Sequence, residues 1–201
     1  MDKRIIYCWF PKGKAKPEKV EECINSWKTL MPDWEILEIN EDNFDINYNK
    51  YVIDAYKSKA WAYVSDVARL WALYNIGGIY LDTDVMMYKS IEEFSKHKCF
   101  TGFEQPHYPV TAVMGAEKGT EIIKEMLDVY ENKTFELKSN WDEYETNTMI
   151  MSDIIGKYID RDKSEYQETE KIVVYTSEMF CRGNENTGYT QHLMLGSWIG
   201  E

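Results

Sequence analysis

Two aspartates flank one threonine at the end of an apolar run in "GGIYLDTDV", residues 77–85. Unpaired carboxylates are costly to desolvate, so Asp82 and Asp84 at the end of a buried strand call for a cation. In extended chain, side chains two apart point to the same side, which converges both carboxylates and turns Thr83 away. Their oxygens suit a hard divalent ion, Mg²⁺ or Mn²⁺, which takes one or two protein carboxylates and fills its other positions with ligand phosphates and water. Such an ion also stabilises a diphosphate leaving group as charge builds on it. The same spacing recurs at Asp160 and Asp162 in "YIDRDKS". That pair lies in a charged stretch at a helix end and reads as solvated surface carboxylates.

Upstream, "AWAYVSDVARLWALYNI" reads as a helix with Val64, Val67, Ala68, Trp71 and Ala72 as its apolar stripe. Asp66 and Arg69 are three apart and share a face, with Ser65 beside them. From spacing alone this is as well an ordinary intrahelical ion pair as a polar pair that reaches sugar hydroxyls from a helix packed beside the aspartate strand. Gly77 fits the helix C-cap.

The elements that must position these groups follow from periodicity. "RIIYCWF" reads as a buried first strand, "PEKVEECINSWKTLM" as an amphipathic helix opened by Pro17, and "WEILEI" as a second strand. A strand–helix–strand order predicts parallel strands joined by a right-handed crossover, with ligands beyond their carboxyl ends, where Trp9 and Phe10 lie. "YVIDAYKS" is a further helix. "VMMY" continues extended after the aspartates, and Ser90 with Glu93 gives a capping-box start to a short helix. "CFTGF", "VTAVMG" and "KIVVYT" read as strands, "TEIIKEMLDVYEN" and "NTMIMSDIIGKYI" as helices. No repeat or linker divides the chain, so residues 1–201 are read as one α/β domain.

A net charge of −12 argues against general nucleic-acid binding. Seven Trp and fifteen Tyr supply stacking surface. Cys8, Cys23, Cys99 and Cys181 are widely spaced and read as reduced thiols. The N-terminal apolar run stops at Pro11 and Lys12, too early for a signal-peptide core, and no stretch reaches the ~20 apolar residues of a membrane span. "KGKAKPEK" reads first as a solvated loop, second as a basic patch for an anionic lipid-linked acceptor.

The string "YVSDVARLWALYNIGGIYLDTDV" resembles the DXD-containing sugar-binding region of glycosyltransferase family 32, which includes bacterial capsular and surface polysaccharide transferases and yeast mannosyltransferases. It is similar, more distantly, to the catalytic domains of the large clostridial glucosylating toxins. The likeness begins at "IIYCWF", continues through "SW" of the first helix and "NEDNFD", and returns at "HLMLGSW"; residues 95–185 carry little of it. It implies a GT-A glycosyltransferase fold, a Rossmann-like nucleotide-binding sheet flanked by helices, and retaining transfer from a nucleotide-sugar with a divalent metal. By position, Trp9 stacks on the base, Asp66 and Arg69 hold donor-sugar hydroxyls, and Tyr80 lines the donor site. Asp82 contacts ribose or sugar and metal-bound water, Asp84 ligates the metal, and Ser197 and Trp198 meet the metal–diphosphate region. His192 is the further metal ligand by analogy with GT-A enzymes, against the alternative of a structural histidine. A UDP-sugar is expected before a GDP-sugar, with a glycan or lipid-linked acceptor in surface polysaccharide (capsule) synthesis. The expected location is the cytoplasm, peripheral at the inner face of the membrane.

No residue stands out as a covalent nucleophile, so front-face attack by the acceptor hydroxyl is expected, with the departing phosphate taking its proton through an oxocarbenium-like transition state. Two rivals remain at this stage. "IYLDTDV" also fits a haloacid-dehalogenase-type phosphatase with Asp82 as nucleophile, although Asp160 and Asp162 are poorly placed for its later acidic motif. The other is a non-catalytic nucleotide-sugar or glycan-binding module, which the short C-terminal half allows by its scant room for acceptor-binding elements and which both aspartates and Arg69 argue against; with three residues after Trp198, truncation at that end is a further reading.

Overall fold

The computed structural model describes residues 1–140 and 143–196, except the side chains of Val110 and Thr111. In chain order the elements are β1 (Arg4–Cys8), α1 (Glu18–Leu30), β2 (Glu35–Ile39), α2 (Lys50–Lys57), α3 (Trp61–Asn75), β3 (Gly78–Leu81), β4 (Val85–Met87), β5 (Cys99–Gln105) and β6 (Tyr108–Ala116). The second part comprises α4 (Glu121–Asp128), α5 (Asn147–Ile155), β7 (Gln167–Glu168), β8 (Val173–Tyr175), α6 (Ser177–Phe180) and β9 (Thr190–His192).

A seven-stranded sheet of order β2-β1-β3-β6-β5-β8-β7 forms the centre. β1 pairs parallel with both β2 and β3, as the strand–helix–strand order requires. β6 is antiparallel to β3 and β5, β5 is parallel to β8, and β7 is antiparallel to β8. Five strands therefore run one way, with β6 and β7 against them. The carboxyl ends of β1, β3 and β5 meet at one edge of the sheet. This mixed α/β sheet with helices on both faces is the expected GT-A architecture.

Strand alternation feeds two apolar layers. Ile6, Cys8, Tyr80 and Phe103 pack with α2, α3, α4 and α5. Ile5, Tyr7, Ile79 and Leu81 face the other way, against Val20, Ile24 and Trp27 of α1 and Phe180 of α6. Trp27 is fully buried and its indole N–H donates to the Val85 carbonyl at 2.7 Å, which ties α1 to the start of β4. Burying a side chain of this size contributes about 2–3 kcal/mol. All four cysteines are buried and free of disulfides.

Two glycines set the junction between α3 and β3. Gly77 (φ +82°) follows the C-cap Ile76 and its N–H returns to Ala72. Gly78 (φ +133°) passes so close to β1 that a Cβ there would sit 2.7 Å from the Arg4 carbonyl oxygen.

Three local expectations change. Ser90 does not form a capping box: the turn at Glu92–Lys96 is 3₁₀, without a side-chain cap, and the Ser90 hydroxyl points to Met31 Sδ at 3.0 Å. The helix read in "TEIIKEMLDVYEN" closes at Asp128, since Tyr130 and Glu131 make turn bonds to Leu127 and Asp128. The lysine-rich loop offers little free charge, because Lys12, Lys16 and Lys19 pair with Asp42, Glu38 and Glu22.

Candidate active site

Asp82 and Asp84 do not converge through the pleat of a strand. Beyond Leu81 the chain turns, with the Val85 N–H donating to the Asp82 carbonyl at 3.0 Å. The Asp82 N–H is meanwhile held by the Ala112 carbonyl of β6 at 2.8 Å. β4 then pairs antiparallel with β9 in the register Val85↔His192, which brings the histidine beside the second aspartate. One ligand atom each from Asp82, Asp84 and His192 lie within 4.8 Å of one another, a set fit for a divalent cation.

Each member is held. Asp84 Oδ1 meets His192 Nε2 at 3.3 Å, and its Oδ2 accepts the Leu195 N–H at 2.9 Å. Burial works against the charged Asp84, but His192 and the Leu195 amide outweigh it and lower its pKa. For His192, burial would lower the pKa; the Asp84 hydrogen bond, Cys181 and Asp82 overcome this and carry it up to about 11. With no cation bound, the imidazolium thus compensates Asp84, and a cation taking that place displaces a proton. Among the described residues the buried His192 Nδ1 has no hydrogen-bond partner.

Beside this triad lies a buried ion-pair network. Arg69 and Asp66, each 8% exposed, face inward from α3. Arg69 Nη1 reaches Asp82 Oδ1 at 3.0 Å and Nη2 reaches Asp66 Oδ1 at 3.2 Å. Its guanidinium lies 4.8 Å from the Tyr80 ring centre, and the Tyr80 hydroxyl donates to Asp82 Oδ1 at 2.8 Å. Burial pushes the Asp66 carboxyl up, to about 6, while Arg69 and Asn147 pull the other way. The pair is therefore not the exposed intrahelical bridge that spacing alone allowed.

Trp9 is half-buried at the carboxyl end of β1. Its indole N–H donates to the Lys14 carbonyl at 2.7 Å and the Lys16 ammonium lies 5.2 Å from its ring centre. Glu38 holds that ammonium at 2.8 Å and also accepts the Tyr7 hydroxyl at 2.6 Å. Tyr80 is 2% exposed, so its ring supports Arg69 and only its hydroxyl joins the polar cluster. Ser197 and Trp198 lie outside the described residues. Asp160 and Asp162 sit on the surface, their side chains 48% and 87% exposed.

Sequence reasoning missed two residues. Asn147, in the first turn of α5, donates from Nδ2 to Asp66 Oδ1 at 2.8 Å, and its own buried Oδ1 has no partner among the described residues. Its signal was a polar residue opening an otherwise apolar helix. Glu104, at the end of β5, lies within electrostatic reach of His192 and Asp82. A hollow of about 630 Å³ lined by Lys98, Lys118, Thr120 and Lys171 opens at the opposite edge of the sheet, away from all these carboxylates.

Comparison with known proteins agrees with this geometry. Residues 17–101 match the family of the glycosyltransferase sugar-binding region containing the DXD motif. The fold is shared with the PaToxG glycosyltransferase, at 16% identity and a TM-score of 0.58 over 78% of this chain and 68% of that one. It is also shared with a glycosyltransferase involved in the glycosylation of the major capsid of PBCV-1, at 14% identity and a TM-score of 0.52 over 98% of this chain and 94% of that one. No curated protein matches the sequence. The resemblance carried by the double-aspartate string is borne out over residues 17–101, and the fold is shared with these glycosyltransferases. No helix among the described residues is long and apolar enough to cross a membrane.

Proposed function

We propose that this protein is a metal-dependent, retaining glycosyltransferase that moves a hexose from a nucleotide-sugar, a UDP-sugar in preference to a GDP-sugar, to a glycan or lipid-linked acceptor. The observation that carries the reading is the convergence of Asp82, Asp84 and His192 beside the buried Asp66–Arg69 pair. Mn²⁺ or Mg²⁺ fits this oxygen-rich set, and when bound it neutralises charge developing on a diphosphate leaving group. Retention, the UDP preference and a place in surface polysaccharide assembly at the cytoplasmic face of a membrane follow from the family resemblance.

The chain's own residues supply the rest of the chemistry. Arg69, fixed between Asp66 and Asp82, keeps those carboxylates in position to accept hydrogen bonds from the donor sugar hydroxyls. Asn147 secures Asp66, and its acceptor oxygen has no partner among the described residues. Trp9 offers one apolar ring at the carboxyl end of β1, where the base of a nucleotide donor stacks. His192 and the Leu195 amide hold Asp84 as a carboxylate.

Calorimetric titration of UDP and then GDP, with and without Mn²⁺, tests the reading on the protein and on Asp84→Ala. Metal-dependent binding of one nucleotide, lost in the variant, is the expected result. Equal binding with and without Mn²⁺, or an unaffected variant, would refute it.

A further inference from the structure

We propose that Lys16 is a positioning residue for the nucleotide base: held by Glu38, its ammonium backs the Trp9 ring on the side facing Tyr7 and leaves the opposite ring face set for stacking. This rests on the nucleotide-sugar reading above, and it gives the lysine-rich loop between β1 and α1 a part in the site.

The placement follows from contacts. Tyr7 and Trp9 are two apart in extended chain, where the Trp9 backbone N–H continues the β1–β2 ladder to the Ile39 carbonyl at 3.0 Å. Both side chains accordingly pack in the same layer, that of α1. The Lys16 ammonium lies 5.2 Å from the Trp9 ring centre and 5.7 Å from that of Tyr7, within cation–π reach of both, so it stands on the Tyr7 side of the indole. Tyr7 lies back along the strand. The other face of the indole therefore looks beyond the carboxyl end of β1, where ligands of such sheets bind.

The ammonium is itself fixed. Glu38 stands opposite Tyr7 in the β1–β2 register, and its Oε2 accepts from Lys16 Nζ at 2.8 Å and from the Tyr7 hydroxyl at 2.6 Å, while Oε1 accepts from Asn40 Nδ2 at 2.8 Å. The Lys16 and Glu38 side chains are 20% and 26% exposed, against 53% and 50% for Lys12 and Lys19, so this pair is screened least of the three. The same loop meets the indole a second time, at its edge, where the ring N–H donates to the Lys14 carbonyl at 2.7 Å. A cation on one face and a hydrogen bond at the edge fix the ring plane before a base arrives, which removes the side-chain ordering that stacking would otherwise cost. Because Glu38 neutralises the ammonium in place, Lys16 acts on the nucleotide through the ring and not through the charge of the diphosphate.

Calorimetry of UDP, GDP and inorganic pyrophosphate, each with Mn²⁺, tests this on wild type, Lys16→Met, Lys16→Arg, Trp9→Ala and the combination of Trp9→Ala with Lys16→Met. Lys16→Met is expected to weaken binding of whichever nucleotide wild type takes by about 5-fold and to leave pyrophosphate within about 2-fold, since only the nucleotide carries a base. Lys16→Arg keeps a cation on the ring and should return nucleotide affinity to within about 2-fold of wild type. With Trp9→Ala already present, Lys16→Met should cost nothing further. Unchanged nucleotide affinity in Lys16→Met, an equal loss for pyrophosphate, no recovery in Lys16→Arg, or additive losses in the combined variant would each overturn this role alone. A wild type that binds neither nucleotide would overturn the transferase reading itself.

Discussion

Replacing Arg69 by methionine removes the charge while keeping much of the side-chain volume. It strands two carboxylates that the guanidinium holds at 3.2 and 3.0 Å, deprives Ser65 O of a donor at 3.3 Å, and leaves the Tyr80 ring without its cation. At an effective dielectric of about 20, each close pair gives about 5 kcal/mol of attraction, much of it offset by desolvation of the three charges. The relevant quantity is therefore the loss on removing one partner of a buried pair, about 3–5 kcal/mol. For a domain of this size that lowers Tm by about 6–20 °C, at roughly 2–4 °C per kcal/mol. Urea unfolding without divalent ions measures it directly. Arg4→Met is the control, because Glu35, its partner at 2.7 Å, is 54% exposed and such a pair contributes at most ~1 kcal/mol. The gap between wild type and Arg69→Met should narrow from about pH 8 to about pH 5, since burial already raises the Asp66 carboxyl to about 6 and loss of Arg69 raises it further, so acid neutralises it in the variant. An Arg69→Met loss no larger than that of Arg4→Met would refute the view of Arg69 as the charge that makes the cluster foldable.

Gly78→Ala places a Cβ 2.7 Å from the Arg4 carbonyl at φ +133°, and a loss of at least about 2 kcal/mol in urea unfolding is expected; a neutral variant would mean that β3 can move away from β1. Glu38 has its pKa lowered from 4.5: burial works to raise it, and the Lys16, Tyr7 and Asn40 hydrogen bonds prevail. The unfolded chain then binds the extra proton, so the stability Glu38 contributes is present above pH 4.5 and is lost as pH falls through its folded pKa. Wild type and Glu38→Gln should accordingly converge in acid, and a constant difference in urea midpoint across that range would contradict the hydrogen-bond network. His192→Ala should weaken Mn²⁺ binding by about 10-fold or more, read by calorimetry with UDP present, and should abolish the proton release that accompanies it in wild type. Equal affinity with equal proton release would remove His192 from the cation site.

The local pattern of the chain already determined much of this protein. Apolar alternation and the Gly77–Gly78 break specify β1, β3 and α3, because those signals depend only on neighbours in sequence. The same is true of Asp66 and Arg69 sharing a helix face, and of two aspartates placed together after an apolar strand. What decided the site lay in long-range pairing. His192 reaches Asp84 only because β9 pairs with β4 in one register. Asn147 reaches Asp66 only because α5 packs on β6 and α4 with its first turn at Asp66, and Glu104 reaches the same edge only because β5 runs parallel to β1. Even the two aspartates converge through a turn fixed by Ala112 of a neighbouring strand, not through the pleat of their own. A carboxylate's partners and desolvation are set by whatever the fold brings within a few ångströms, and that is a property of strand register and helix packing that no single stretch of sequence carries.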